Sequence, residues 1–168
     1  ANSDKDKKDG QIILAKWQGR FGNRMHQYAY LSTYANKLNV ELVLPSEWEG
    51  DKLFANNKHT IIQDDDLRLK LNQSHKDLDT KEFKSEAFEE YNKKTNSDFK
   101  FLNPHDASQT WIDLKQSWVM DLCAYQEEIF KGMSTKFLKE TFEFSDEVKN
   151  TDVYKYLEDK QGTYDIAH

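Results

Sequence analysis

The feature that most constrains the fold is a short apolar strand, a glycine turn and an amphipathic helix in direct succession. Residues 12–17 (IILAKW) predict a buried strand, and apolar positions recur at helical spacing over residues 24–38. A second apolar segment, residues 40–44, predicts another strand that ends at Pro45. Strand, helix and strand in this order are typical of a βαβ unit with a parallel strand pair. The sequence therefore predicts an α/β fold with a Rossmann-like parallel sheet flanked by helices.

The turn between the strand and the helix reads Gly19-Arg20-Phe21-Gly22-Asn23. Glycines let the backbone approach a ligand closely, and the N–H groups at the start of the following helix favour an anion. Arg20 adds a guanidinium fork that suits phosphate oxygens, and Asn23 adds a neutral donor and acceptor. The pattern predicts a phosphate or nucleotide-sugar site at the carboxyl end of the first strand. The alternative is a structural turn in which Asn23 caps the helix.

Composition and charge exclude several classes of partner. The chain has 168 residues, a net charge of −6 and a sequence pI near 5.4, which gives no general attraction to nucleic acid. Its apolar runs are far shorter than the roughly 20 residues needed to cross a bilayer, so no membrane span is predicted. Cys123 is the only cysteine, which excludes an intrachain disulfide and favours a buried structural thiol. The five histidines lack metal-ligand spacing, so no metal site is predicted.

The chain divides into three parts by composition. Residues 1–10 are charged and predict a flexible linker, and residues 11–162 predict a single Rossmann-like lobe. Within that lobe, residues 64 to about 104 are highly charged and predict an excursion with little core of its own, in which Asp64-Asp65-Asp66 is a solvated acidic loop rather than a metal motif. Residues 163–168 predict the start of a further strand, as if the chain continued into other domains.

Outside the βαβ unit, the predicted elements are a strand at residues 60–62 and helices at residues 81–93, 127–140 and 146–159. The aromatic residues Phe130, Phe137 and Phe142 are predicted to pack in the core. Trp48, Trp111 and Trp118 are predicted to pack in the core or on the acceptor side rather than to form a sugar platform. Glu47 and Glu49 lie near the expected ligand edge but are predicted to be exposed loop acids. The sequence singles out no catalytic base.

Three segments together resemble one enzyme family. The run Gly19-Arg20-Phe21-Gly22-Asn23, with the following helix, resembles the G-x-(L/F)-G-N-Q-M-F-Q-Y-A signature of the α-1,2-fucosyltransferases, glycosyltransferase family 11. A shorter relative, G-R-F-G-N-Q, occurs in protein O-fucosyltransferases. The segment 124–126 (AYQ) with Phe130 and residues 142–144 (FEF) is similar to the family's G-Y-x-Q-x-x-x-Y-F segment and trailing F-x-F. Residues 166–168 are placed like the start of its H-x-R-R-x-D motif.

The resemblance implies the amino-terminal lobe of a GT-B glycosyltransferase. Such an enzyme transfers fucose from GDP-fucose to a glycan acceptor with inversion and without a metal or other cofactor. It also implies that Gly19 to Asn23 and His168 contact the donor. Arg24 and His26 depart from the family's Gln and Phe. The expected localisation is cytoplasmic, or the Golgi or a membrane if a longer parent chain carries an anchor.

Two other classes of function stay open. One is a non-catalytic nucleotide-sugar or glycan-binding module of a multidomain protein. The other is an acidic interaction domain in which the glycine turn is only structural.

Overall fold

The centre of the fold is a parallel β-sheet of five strands. The computed structural model describes residues 8, 10–72, 80–102, 118–120 and 131–162. The strands are β1 (Gln11–Leu14), β2 (Glu41–Leu44), β3 (Thr60–Ile61), β4 (Lys100–Leu102) and β5 (Trp118–Met120), and their order across the sheet is β3-β2-β1-β5-β4. Each neighbouring pair is parallel. The predicted α/β fold with a parallel sheet flanked by helices is confirmed, and its arrangement is consistent with a Rossmann-like fold.

Seven described helices surround or follow this sheet: α1 (Phe21–Leu38), α2 (Gly50–Leu53), α3 (Asp65–Asn72), α4 (Thr80–Thr95), α5 (Thr135–Thr141), α6 (Asp146–Lys149) and α7 (Asp152–Asp159). The strands predicted at residues 40–44 and 60–62 and the helix predicted at residues 81–93 are confirmed within two residues at each end. In the ranges that the structure describes, none of the helices has both the length and the apolar character that crossing a bilayer requires.

The two faces of the sheet bury separate hydrophobic cores. Successive residues of a strand point to opposite faces, so Ile12 and Leu14 pack on the α1 face while Ile13 packs on the other. On the α1 face the core includes three tyrosines of α1 and Trp48. On the other face, apolar residues of α3, α4 and the segment before β4 cover Ile13 and Val43. The fold is therefore a three-layer arrangement with helices on both sides of the sheet.

The charged segment after β3 contributes to this structure more than its composition predicts. Leu67 and Leu71 of α3, Phe88 of α4 and Phe99 are buried in the second core. The expectation that this segment has little core of its own is therefore wrong. Its charged residues lie on the outer face, where Lys70 pairs with Glu90 at 2.6 Å, and its sparse apolar residues recur at helical spacing.

The carboxyl-terminal part differs from the prediction in where its helices begin. The helix predicted at 127–140 is interrupted at residues 132–134, and the helix predicted at 146–159 is divided between α6 and α7. A hydroxyl side chain causes each new start, because Ser134, Ser145 and Thr151 each accept a hydrogen bond from the backbone N–H three residues later. The apolar side of α7 is exposed, with Val153 at 69% and Tyr156 at 63% of their full accessibility.

Candidate functional site

The glycine turn lies at the point where the order of the strands changes direction. From β1 the chain builds β2 and β3 on one side, and β5 and β4 occupy the other side. The turn follows the carboxyl end of β1, beside β5. In open α/β sheets, ligands bind at the carboxyl ends of the strands at such a switch point.

The helix after the turn begins earlier than its apolar spacing predicts. α1 starts at Phe21, so Gly22 and Asn23 lie in its first turn, and Arg20 is the N-cap residue with extended backbone. The side chain of Arg20 makes no capping hydrogen bond. The prediction that Asn23 caps the helix is therefore wrong, because Asn23 lies inside the helix, whereas the alternative of a purely structural turn stays open. An arginine side chain has no acceptor, so the N-cap residue leaves the first backbone N–H groups of α1 without a cap.

The two glycines of the turn have different relations to the fold. Gly19 has φ +67°, and a Cβ atom at this position would overlap the side-chain amide of Asn23. Both facts require glycine at position 19. Gly22 is exposed and helical, and a Cβ atom there would meet no other atom within 4 Å. The described fold therefore requires the first glycine and leaves open space beside the second.

The two arginines near the turn also differ. Arg24 donates through Nη1 to Glu49 Oε1 at 2.7 Å and through Nε to the Gly19 carbonyl at 3.4 Å. Its guanidinium carbon lies 6.0 Å from the centroid of the Trp17 ring, a cation–π arrangement. Arg20 is exposed, and no hydrogen bond or ion pair of its guanidinium is found among the described residues. Arg20 thus supplies the unengaged positive charge at the amino end of α1.

A cluster of aromatic side chains packs against the residues of the turn. Trp48, which is 2% exposed, stacks on Tyr28 of α1 with ring centroids 4.4 Å apart. Its indole also stacks on Trp17 at 5.8 Å and on Phe21 at 6.0 Å. The prediction that Trp48 packs in the core is confirmed. Since Trp17 precedes the turn and Phe21 lies within it, this cluster fixes the turn against the sheet.

A buried glutamine holds the chain between β1 and the turn. The backbone N–H of Gln18 donates to Oε1 of Gln27 at 3.1 Å, and Gln27 is 1% exposed. A buried amide that pairs with a loop N–H satisfies both groups and restricts the loop. The amino end of α1 and the end of β1 therefore form one connected unit.

A histidine that the sequence does not single out belongs to a polar cluster beside Trp48. His59 Nε2 lies 2.9 Å from Asp51 Oδ1, and its Nδ1 lies 2.9 Å from the hydroxyl oxygen of Tyr28. The backbone N–H of Lys58 also donates to the Tyr28 hydroxyl, at 3.4 Å. Burial lowers the pKa of His59, although the neighbouring Asp51 carboxylate opposes that shift. The sequence carries no signal for this cluster, because its members come from three separate segments.

The other residues considered in the sequence have structural positions or lie outside the described ranges. Asp64 Oδ1 accepts from the Leu67 N–H at 3.0 Å and pairs with Lys94, so the predicted acidic loop is instead the start of α3. The Lys94 ammonium and this backbone donor lower the pKa of Asp64. His26 is exposed on α1, and Glu47 and Glu49 are exposed as predicted. Phe142 packs against the first core and Phe137 is half-buried.

The segment 124–126, Phe130, Cys123 and His168 lie outside the described residues, so the predicted donor contact at His168 stays a prediction. Within the described ranges, no group of three or more His, Cys, Asp or Glu side chains is arranged to hold a metal ion.

Comparisons with protein-family models, with curated proteins and with solved structures find no match to this chain. The fold defines the class of this chain as an α/β protein with a parallel sheet flanked by helices.

Proposed function

We propose that this chain binds a nucleotide-sugar diphosphate at the turn from Gly19 to Asn23, as the amino-terminal lobe of a GT-B glycosyltransferase. The proposed donor is GDP-fucose and the proposed acceptor is a glycan. The resemblance of the turn to the fucosyltransferase signature motivates the choice of donor. The position of the turn supports the choice of site, because it lies at the carboxyl end of β1 at the switch point.

The observation that carries the proposal is the contrast between Gly22 and Gly19. Glycine within a helix is less favourable than alanine by about 1 kcal/mol. Gly19 precedes the helix, and there the fold itself requires glycine, since φ is positive and the space is filled. At Gly22 nothing in the described fold requires glycine, and the open space lies in the first turn of α1. A ligand that approaches the backbone closely accounts for a glycine at this position.

The charges around the turn suit a diphosphate. Arg20 carries an unengaged guanidinium at the amino end of α1, where the helix dipole also favours negative charge. Two oxygens of a phosphate match the fork of a guanidinium. Arg24 lies one helical turn later and keeps its neighbour Glu49 neutralised. Among the described residues, a phosphate at the start of α1 would therefore meet the unpaired guanidinium of Arg20, while the Glu49 carboxylate is paired with Arg24.

The chemistry of the proposed transfer uses this charge on the leaving group. An acceptor hydroxyl attacks the anomeric carbon of fucose, the bond between that carbon and the β-phosphate oxygen breaks, and GDP leaves with the electron pair. The hydroxyl proton passes to a base, for which no residue is assigned. Arg20 and the backbone N–H groups of α1 would stabilise the charge that develops on the diphosphate. This is the role that a metal ion takes in metal-dependent transferases.

The experiment is a calorimetric titration of the chain with GDP-fucose and with GDP at low salt. Arg20→Ala should weaken both affinities by about tenfold or more, since it removes a charge-assisted contact. Arg68→Ala is the matched control, because Arg68 is a surface arginine on α3, paired with Asp65 at 2.6 Å, on the other face of the sheet. Equal affinities in wild type and Arg20→Ala would contradict the proposed site. Binding of GDP-fucose by this chain, with no fucose transfer by any longer protein that contains it, would favour the non-catalytic module instead.

A further inference from the structure

A cleft of about 530 Å³ opens on the α1 face of the sheet, away from the glycine turn. Glu41 and Thr60, the first residues of β2 and β3, line it. The turn follows the last residue of β1, Leu14. Because the strands are parallel, their first residues lie at one end of the sheet, and the turn lies at the opposite end, beyond the carboxyl ends of the strands. The cleft and the turn are therefore separate sites.

The topology explains why this cleft exists. A parallel strand connection usually carries a helix that covers the sheet. Here the connection from β2 to β3 contains only α2, a single turn of four residues. In the described part of the chain, α5 covers this area from the side, and its Phe137 and Thr141 form one wall of the cleft. Between α1 and α5, the cleft reaches Glu41 and Leu42 of β2.

The lining combines an apolar floor with a polar rim. The floor includes the buried side chains of Ala35, Val40 and Leu42. Exposed residues at the rim are of three kinds: an amide, an ammonium and a carboxylate. They are Asn36, Lys58 and Glu140. Within the described ranges, these three side chains make no hydrogen bond or ion pair with other residues.

We propose that this cleft is a second binding site, for a neutral hydroxylated ring of monosaccharide to disaccharide size. Its volume lies in the range of about 300–1,000 Å³ that small-molecule sites occupy. The rim offers donors from Lys58 and Asn36 and acceptors from Glu140 and Asn36, which is the mixture that hydroxyl groups require. The apolar floor packs against the C–H face of a sugar ring.

The charges of the lining favour a neutral ligand over a charged one. The carboxylates of Glu41 and Glu140 repel an anion, and the ammonium groups of Lys8 and Lys58 repel a cation. Glu41 is itself held in place, because Gln11 donates to it at 2.7 Å and Thr60 at 3.1 Å. The inference does not depend on nucleotide-sugar binding at the turn.

The test is a titration of the ¹⁵N-labelled chain followed by amide chemical shifts. The neutral probes are D-galactose, L-fucose and myo-inositol, and the charged probes are galactose 1-phosphate and galactosamine. We expect at least one neutral probe to cause saturable shifts at Lys58, Thr60 and Thr141 in the millimolar range, with weaker effects of the charged probes. Absence of saturable shifts at these amides, or stronger binding of a charged probe, overturns the proposal.

Substitutions at the rim test whether the neutral probe binds in the cleft. Asn36→Trp places a large ring at the rim and should weaken binding of the neutral probe by about tenfold. Lys37→Trp, the neighbouring exposed residue outside the lining, is the control and should leave it unchanged. Glu140→Ala removes only a surface carboxylate, keeps the fold and should weaken binding several-fold.

Equal binding in wild type, Asn36→Trp and Glu140→Ala overturns the assignment. Shifts at the Gly22 amide on adding GDP report the turn separately, so failure of either site is distinguishable from failure of the other.

Discussion

Arg24 donates to Glu49 across 2.7 Å, and this pair neutralises one of the two cations near the start of α1. Both side chains are partly exposed, at 30% and 48%. Glu49 directly follows Trp48, the centre of the aromatic cluster that supports the turn, in the chain. Arg20 is then the cation that an incoming phosphate meets first.

Glu49→Gln should raise the affinity for GDP by a few-fold at low salt. The substitution removes a negative charge near the proposed phosphate site and frees Arg24 to contact the ligand. Calorimetric titration measures the effect, which should shrink as salt is added. Glu90→Gln is the control, since it breaks a comparable surface pair with Lys70 on the other face of the sheet. A lower affinity in Glu49→Gln alone would show that the pair itself is needed for binding.

Gly50→Ala should lower the free energy of unfolding by about 1–3 kcal/mol through overpacking. Gly50 is buried at the start of α2, and a Cβ atom there would overlap the indole of Trp48. Urea unfolding followed by circular dichroism measures the change. Gly22→Ala is the control, because a Cβ atom at that position meets no neighbour. Equal stability of Gly50→Ala and wild type would mean that Trp48 has room to move.

Tyr28→Phe should destabilise the fold by about 1–3 kcal/mol, because it leaves the buried Nδ1 of His59 and the Lys58 N–H without their hydroxyl partner. The stacking of the ring on Trp48 is retained, so the loss reports the hydroxyl group alone. Tyr156→Phe, at an exposed tyrosine of α7, should change the free energy of unfolding by much less. Equal losses of unfolding free energy in the two variants would indicate that the cluster around His59 contributes nothing to stability.

Stability should fall as the pH decreases from neutral toward about 5, and His59 should account for much of that fall. Burial holds the pKa of His59 below its ordinary value of 6.5, so the unfolded chain binds this proton more readily than the folded chain. The stabilising contribution is therefore complete above that value and is lost as the pH falls through the folded-state pKa. The side chains that face His59 are Asp51, whose carboxylate opposes the shift, and the hydroxyl of Tyr28.

Urea midpoints measured across this pH range test the expectation. His59→Gln should flatten the dependence, and His26→Gln, at an exposed histidine of α1, should preserve it. The Lys94, Lys70 and Lys149 partners lower the pKa values of Asp64, Glu90 and Glu143 below the ordinary carboxylate range. Those groups therefore titrate at more acidic pH. An unchanged slope in His59→Gln would contradict the assignment.

The local order of elements is predictable from the sequence because β1, α1 and β2 follow one another with clear periodicities. The start of α1 is predicted three residues late, because Gly19 and Gly22 indicate a turn, although Phe21 continues the helical spacing of Met25 and Tyr28 and packs on the same core. The second core is missed because Leu67, Leu71 and Phe88 are diluted among charged residues, although their spacing is helical. Composition alone therefore underestimates how much a helix contributes to the core when it buries only one narrow side.

The sequence names the residues of the candidate site, but it does not predict which of their charges are paired. Gly19 and Gly22 look alike in the sequence, and only the backbone angle and the surrounding space distinguish them. Arg20 and Arg24 likewise differ through contacts that Arg24 alone makes, above all with Glu49, which lies 25 residues away from it in the chain. The polar cluster of Tyr28, Asp51 and His59 depends on packing between separate segments. Contacts of this kind carry no local sequence signal.

Gly22→Ala tests most directly whether the turn is a binding site, because the fold and the ligand make opposite demands on this residue. Without a ligand, alanine should raise the free energy of unfolding by about 0.4–1 kcal/mol, since it favours the helix and meets no neighbour. With GDP-fucose, the added methyl group should obstruct the approach to the start of α1 and lower the calorimetric affinity by about tenfold. A variant that is more stable and binds GDP-fucose as tightly as the wild type would contradict the account.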